Sequence, residues 1–178
     1  MSLGDGLGTA FVYLATVVIM FGAPLYTLSA NNDDMSQTAL QVATAEYVNA
    51  VGKTSVLTLD DYAAYAQTVS ADGTAKEIEM QIGRKDENPG KKTTQANYTK
   101  YGENVMYYIY TNEIEEKLRE DGQIIFNQGD TFLTSVKNKT QTLNNMLTNM
   151  FYSVPPGATY TLAAQASVTC TVNGDLSS

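Results

Sequence analysis

The sequence predicts an α+β protein: one long N-terminal hydrophobic helix followed by a small head domain built on an antiparallel sheet. Three observations predict it. Residues 6–32 carry no Asp, Glu, Lys or Arg. Beyond them the apolar residues Leu40, Ala43, Tyr47 and Val51 recur at steps of three and four, the spacing of one helical stripe. Further on, short stretches of alternating apolar and polar residues are separated by Asp72-Gly73 and Gly129-Asp130, which are turn signals.

The first element is the apolar run Leu7 to Leu28. At about 1.5 Å per residue it spans roughly 33 Å, close to the hydrocarbon thickness of a bilayer. A cleaved signal peptide would carry a basic start and a shorter apolar run. Here the start reads Met-Ser-Leu-Gly-Asp, so a retained helix is expected, although Ala30 could end a cleavable segment. Val12, Thr16, Val17, Val18 and Ile19 are weak helix formers in water, but in lipid or in a packed bundle the backbone must bond to itself. Pro24, two residues after Gly22, predicts a kink or a locally unwound turn. The first basic residue is Lys53, so no positive-inside signal sets orientation. The flank Asn31-Asn32-Asp33-Asp34 is acidic and suits the outer side.

The helix is expected to continue from Leu7 to Val51, with Met35, Ala39 and Val42 widening its stripe and Gly52 as its C-terminal cap. Residues 1–30 then form a membrane or filament-core helix. Residues 31–178 form the head, with 31–52 continuing the helix. Thr58 caps a second helix that starts with Asp60 and Asp61 and runs to about Ser70. Lys76 to Gly83 alternates as a half-buried strand, and Arg84 to Lys100 reads as a solvated loop. Asn104 to Tyr110 is apolar and rich in Tyr. Glu113 to Glu120 is a polar helix ended by Asp121-Gly122. Gln123 to Asn127 and Thr131 to Lys137 are expected to pair as a hairpin. Thr140 to Phe151 is amphipathic, with Leu143, Met146, Leu147 and Met150 on one face. Ser153 to Gly157 breaks it, and Tyr160 to Val172 is a last strand. The polar half of the long helix is the expected cover for the sheet's apolar face.

Composition excludes several kinds of chemistry. The 178 residues include no His and one Cys, Cys170. Triads and dyads that need His cannot form in one copy, nor can His- or Cys-clustered metal sites. A net charge of −8 disfavours binding to nucleic acid. The acid pairs Asp33-Asp34, Asp60-Asp61 and Asp86-Glu87 read as an interfacial flank, a helix start and a surface loop rather than as carboxylate dyads. No catalytic residue, metal or cofactor is expected, and an enzyme with only carboxylates is the remote rival. Asn97-Tyr98-Thr99 and Asn138-Lys139-Thr140 match the glycosylation triplet, a pattern common by chance. The twelve Tyr read mainly as packing residues, and Cys170 as a small buried one.

These features together resemble type IV filament subunits. Asp5, Gly8, Ala10, Ala15, Gly22 and Pro24 stand where that family carries an acidic residue, small residues and a proline. The stretches Asn49 to Tyr62 and Gly129 to Asn138 look like pilin-like proteins of the tight-adherence (Tad) class from Gram-positive bacteria. The resemblance implies a structural subunit of an extracellular pilus-like filament that serves adhesion or surface contact. Its expected partners are further copies of itself in a helical homopolymer, the cytoplasmic membrane before assembly, and a pilus assembly machinery. Subunit packing is then expected from Leu7, Gly8, Phe11, Val12, Leu14 and Ala15, and from Val18, Ile19, Phe21, Gly22, Pro24 and Leu25. Asp5 would either set register by pairing with a neighbour's N-terminal ammonium or stay in water at the helix start, where the dipole favours an acid. The rival is a membrane-anchored surface binding protein that never polymerises.

Overall fold

A computed structural model describes residues 3–85, 106–139, 142–143, 146 and 161–174. The chain divides into two compact units, Met1–Thr38 with Gln141–Leu162, and Ala39–Thr140 with Ala163–Ser178. Helix α1 runs uninterrupted over Leu3–Thr54 and contributes to both. Of the kink or unwound turn expected at Pro24, the unwound turn is absent: α1 stays helical through it. The proline removes only one donor of the ladder.

The second unit holds the sheet. Strands β2 (Lys76–Lys85), β3 (Met106–Tyr110), β5 (Thr131–Asn138) and β6 (Ala163–Thr169) lie in the order β3-β2-β5-β6, every neighbouring pair antiparallel. One face is apolar: Met80, Ile82, Ile109, Phe132, Val136 and Ala164 are buried. The C-terminal part of α1 covers it. Tyr47 meets Phe132 edge to face at 5.8 Å and stacks on Tyr65 at 4.2 Å. Tyr65 belongs to helix α2 (Leu59–Val69). Leu40, Thr44, Tyr47, Val48 and Val51 are the buried stripe of α1 in this unit. Met35, Ala39 and Val42 do not widen it and are exposed instead. They lie round the helix from that stripe, as the 100° step requires.

Thr58 caps α2 as expected. Its Oγ1 accepts from the Asp61 amide at 3.1 Å and donates to Asp61 Oδ2 at 2.6 Å. Gly122 ends helix α3 (Thr111–Asp121) in the left-handed conformation, with φ of 75°. Gly52, by contrast, is not the cap of α1. A Cβ there would collide with the γ carbons of Val168 on β6, so the glycine serves close approach of helix to sheet. The left-handed position falls to Ser55, φ 53°, whose amide donates to Val51 O at 2.7 Å and whose Oγ donates to Val172 O at 2.8 Å.

The hairpin expected between Gln123–Asn127 and Thr131–Lys137 does not form. Strand β4 (Gln123–Ile125) pairs instead with β1 (Val56–Thr58), Leu57 opposite Ile124. The cause is the turn at 127–130. Asp130 donates its amide to Asn127 O and takes the Asn127 amide on its carboxylate, both at 3.0 Å, which sends the chain from one sheet to the other. Arg84, expected in a loop, lies in β2 and locks that turn. Its Nη2 donates to Ile125 O at 2.7 Å, and its Nε lies 3.5 Å from the buried Asp130 carboxylate. We expect Arg84→Ala to cost roughly 2–3 kcal/mol. That is less than the 3–5 of a fully buried pair, because the arginine side chain is 22 % exposed. Urea denaturation would measure the loss.

The last strand is shorter than expected, at Ala163–Thr169. Of the amphipathic run Thr140 to Phe151, only Thr142, Leu143 and Met146 are described, with the Met146 amide bonded to Thr142 O at 3.0 Å, one helical turn back. The loop beyond Lys85, with Asp86-Glu87 and Asn97, lies outside the described residues, as do Leu147, Met150 and the break at Ser153 to Gly157.

Candidate functional site: the bare apolar half of the first helix

In the first unit α1 presents a helix that is apolar on all sides. Phe11, Val12, Tyr13 and Leu14 are consecutive, so at 100° per residue they cover every side, and each is 62–73 % exposed. Val17, Val18, Ile19, Met20, Phe21, Leu25, Tyr26 and Leu28 are exposed as well. α1 is long and apolar enough to cross a membrane, and none of its apolar window is buried within the chain. Moving one such side chain out of water contributes about 1.5–3 kcal/mol, so twelve of them are a large unspent driving force.

Two hydroxyls on this surface are already satisfied within the helix. Thr16 Oγ1 donates to Val12 O at 2.8 Å, and Thr27 Oγ1 donates to Ala23 O at 3.0 Å. Such back-bonding lets a hydroxyl enter an apolar environment without an open donor.

Of the residues expected to pack subunits, Gly8, Phe11, Val12, Leu14, Val18, Ile19, Phe21, Pro24 and Leu25 are exposed, and Ala15 and Gly22 are half-buried. The side chains of Asp5 and Leu7 lie outside the described residues. Gly8 is open on its side: a Cβ there would meet nothing within 4 Å. A glycine inside a helix costs about 1 kcal/mol relative to alanine, and nothing among the described residues accounts for it. Sequence reading missed a pattern here. Gly8, Ala15, Gly22, Ser29 and Ser36 follow one another at steps of seven. From Ala15 onward they form the least exposed line along this half of the helix. A seven-residue step drifts only about 20° round the helix, so these small side chains keep to one side.

Asp33 and Asp34 were expected to form an interfacial flank together. Asp34 is exposed, but Asp33 is buried and accepts a hydrogen bond on Oδ2 from Thr142 Oγ1 at 2.7 Å. Adjacent helical residues point about 100° apart, which is why one is covered and the other is not.

The head has an open cleft of about 750 Å³ at the edge of β2, with Glu77, Glu79 and Glu115 on its wall. Each carboxylate is engaged. Glu77 and Glu79 both meet Lys137 at 3.3 Å, and Glu115 accepts from Tyr62 at 2.7 Å and Arg119 at 3.1 Å. Asn138, of the second glycosylation triplet, is half-buried at the end of β5, with its Oδ1 covered. Cys170 is buried, and burial pushes its thiol up from the ordinary value.

Three tyrosines of the head titrate above the ordinary value. Burial is the main cause for Tyr47, Tyr62 and Tyr65. Neighbouring Tyr65 adds to it at Tyr47, and the bond to Glu115 adds to it at Tyr62. The folded head therefore holds these phenols neutral where an unfolded chain would ionise them. Their contribution is complete below the unfolded value near 10 and is lost as pH rises above it. We expect urea midpoints to fall as pH rises from about 10, and to fall less steeply in Tyr47→Phe.

Comparison of the chain with family models, with curated proteins and with solved structures finds no match.

Proposed function

We propose that this chain is a structural subunit of an extracellular filament of the type IV, tight-adherence kind, built by packing α1 helices against one another. The observation that carries the reading is the bare apolar half of α1. A helix apolar on every side is stable only in lipid or among other apolar helices. In this reading α1 sits first in the cytoplasmic membrane, and an assembly machinery moves it into a fibre core where neighbouring helices replace lipid. Gly8, Ala15 and Gly22 allow close approach there, and Asp5 pairs with a neighbour's N-terminus. The head forms the outer surface and makes the adhesive contacts. Head-to-tail repetition of one contact gives an open helical polymer when its rotation does not close a ring.

The engaged carboxylates of the cleft support a structural rather than a catalytic role for the head. Lipid alone would also cover α1, as in an anchored binding protein that stays single. Shearing whole cells and probing both fractions separates the two readings. A filament subunit is released with the sheared material as well as found in the membrane, whereas an anchored single protein stays with the membrane alone.

A further inference from the structure

The two outer strands of the sheet are unusual in what they lack. Edge strands commonly carry charges or proline, which block pairing with another chain. Here β3 reads Met-Tyr-Tyr-Ile-Tyr and β6 reads Ala-Ala-Gln-Ala-Ser-Val-Thr, with no charge and no proline in either. The charges sit on the inner strands instead. β2 carries Lys76, Glu77, Glu79, Arg84 and Lys85, and β5 carries Lys137.

Among the described residues, both edges turn backbone groups away from the sheet. The Cys170 amide bonds to Asp130 O at 2.9 Å, which sets the alternation along β6. Residues 164, 166 and 168 therefore turn their N–H and C=O toward β5, and Gln165, Ser167 and Thr169 turn theirs outward. On the other edge the Met80 amide bonds to Thr111 Oγ1 at 2.8 Å, which marks the β2 residues that face β3. By the same alternation Ile109 bonds to Ile82, and Tyr108 turns its N–H and C=O outward together with the Tyr110 amide, while the Tyr110 carbonyl, at the N-cap, opens helix α3.

We propose that the head pairs edge to edge with a second copy of this chain, β6 of one copy against β3 of the next. Three features favour this occupant. First, the sheet has four strands, each antiparallel to its neighbour, so its two edge strands run in opposite directions. Copies oriented alike, as in a polymer, bring β6 and β3 together antiparallel, the commoner pairing. Second, the edges differ in bulk. On the face away from α1, β3 presents Tyr108 and Tyr110, which are 48 % and 57 % exposed, and β6 presents Ala163, Gln165, Ser167 and Thr169. Large rings on one edge fit small side chains on the other. Third, the Tyr108 ring already lies against Gly83, where a Cβ would come within 2.8 Å of a ring carbon, so it is held flat on the sheet beside the edge. The contact uses two different surfaces of each copy, so each copy can pair with a neighbour on either side, as a polymer requires. The pairing rests on the filament reading only for the like orientation of the copies.

Amide hydrogen exchange on the full chain, dispersed in detergent and assembled in fibres, tests the pairing. The outward amides of Gln165, Ser167, Thr169, Tyr108 and Tyr110 should exchange freely in detergent. In fibres several of them should slow about tenfold or more. In Gln165→Pro the outward donor is lost while the β5–β6 ladder keeps its bonds, and the slowing should disappear. Fibres in which these amides exchange as fast as in detergent would overturn edge pairing and leave helix packing standing. A chain that gives no fibres and no slowing would overturn both.

Discussion

Ile19→Lys is expected to abolish fibre formation and to weaken membrane retention while leaving the head folded. Ile19 lies near the middle of the apolar stretch and is 69 % exposed in the single chain. A lysine near the centre of a lipid-embedded helix costs about 2.5–3.5 kcal/mol on insertion scales, and a fibre core without water would penalise it as well. The same change has little to damage within the chain, because Ile19 has no buried packing to lose. The head's buried residues, Tyr47, Met80, Ile82, Phe132 and Val136 among them, belong to the other unit. Circular dichroism and urea midpoints of the detergent-dispersed variant should match the parent, while sheared material should lack the chain. A variant that still forms fibres in normal yield would remove the helix from the fibre core.

The opposite pattern is expected at Phe132. This ring is fully buried, lies edge to face with Tyr47 and with Phe126 at 5.8 Å each, and so joins β5, α1 and the segment after β4. Phe132→Ala should cost about 3–5 kcal/mol, a large part of the stability of a head this size. The volume left behind cannot easily collapse, because Phe132 pairs with Ile82 and Val168 on the two neighbouring strands, which hold it in place. The loss should show as a lower urea midpoint. The apolar half of α1 carries its own hydrogen bonds, so membrane fractionation should change little. Ile19→Lys and Phe132→Ala would thus separate anchoring from head stability.

Much of this architecture was legible because it follows local rules. The missing charges over residues 6–32, the cap at Thr58 and the stop at Gly122 each report on a few neighbouring residues. What was not legible depends on residues far apart. Strand β1 has only three residues, the last of them the cap of α2, so no alternation can be seen in it. Its partner β4 was therefore assigned to the wrong strand. Gly52 looked like a cap because a glycine after an apolar stripe usually is one, and only the approach of Val168 gives its reason. Arg84 looked solvated until Asp130 and Ile125 O came within reach. In the candidate site, the apolar residues could be chosen from composition alone. The seven-residue line of small side chains was present in the sequence but lay hidden among the larger neighbours. The covering of Asp33 by Thr142 joins positions 109 apart and left no local trace.

Electron microscopy of material sheared from cells that make the native chain, with antibody to the head and mass spectrometry of the fibres, tests the central claim most directly. The account predicts thin fibres decorated along their length and composed of this chain. Abundant chain in the membrane fraction of those cells, with no fibre that contains it, would contradict the account.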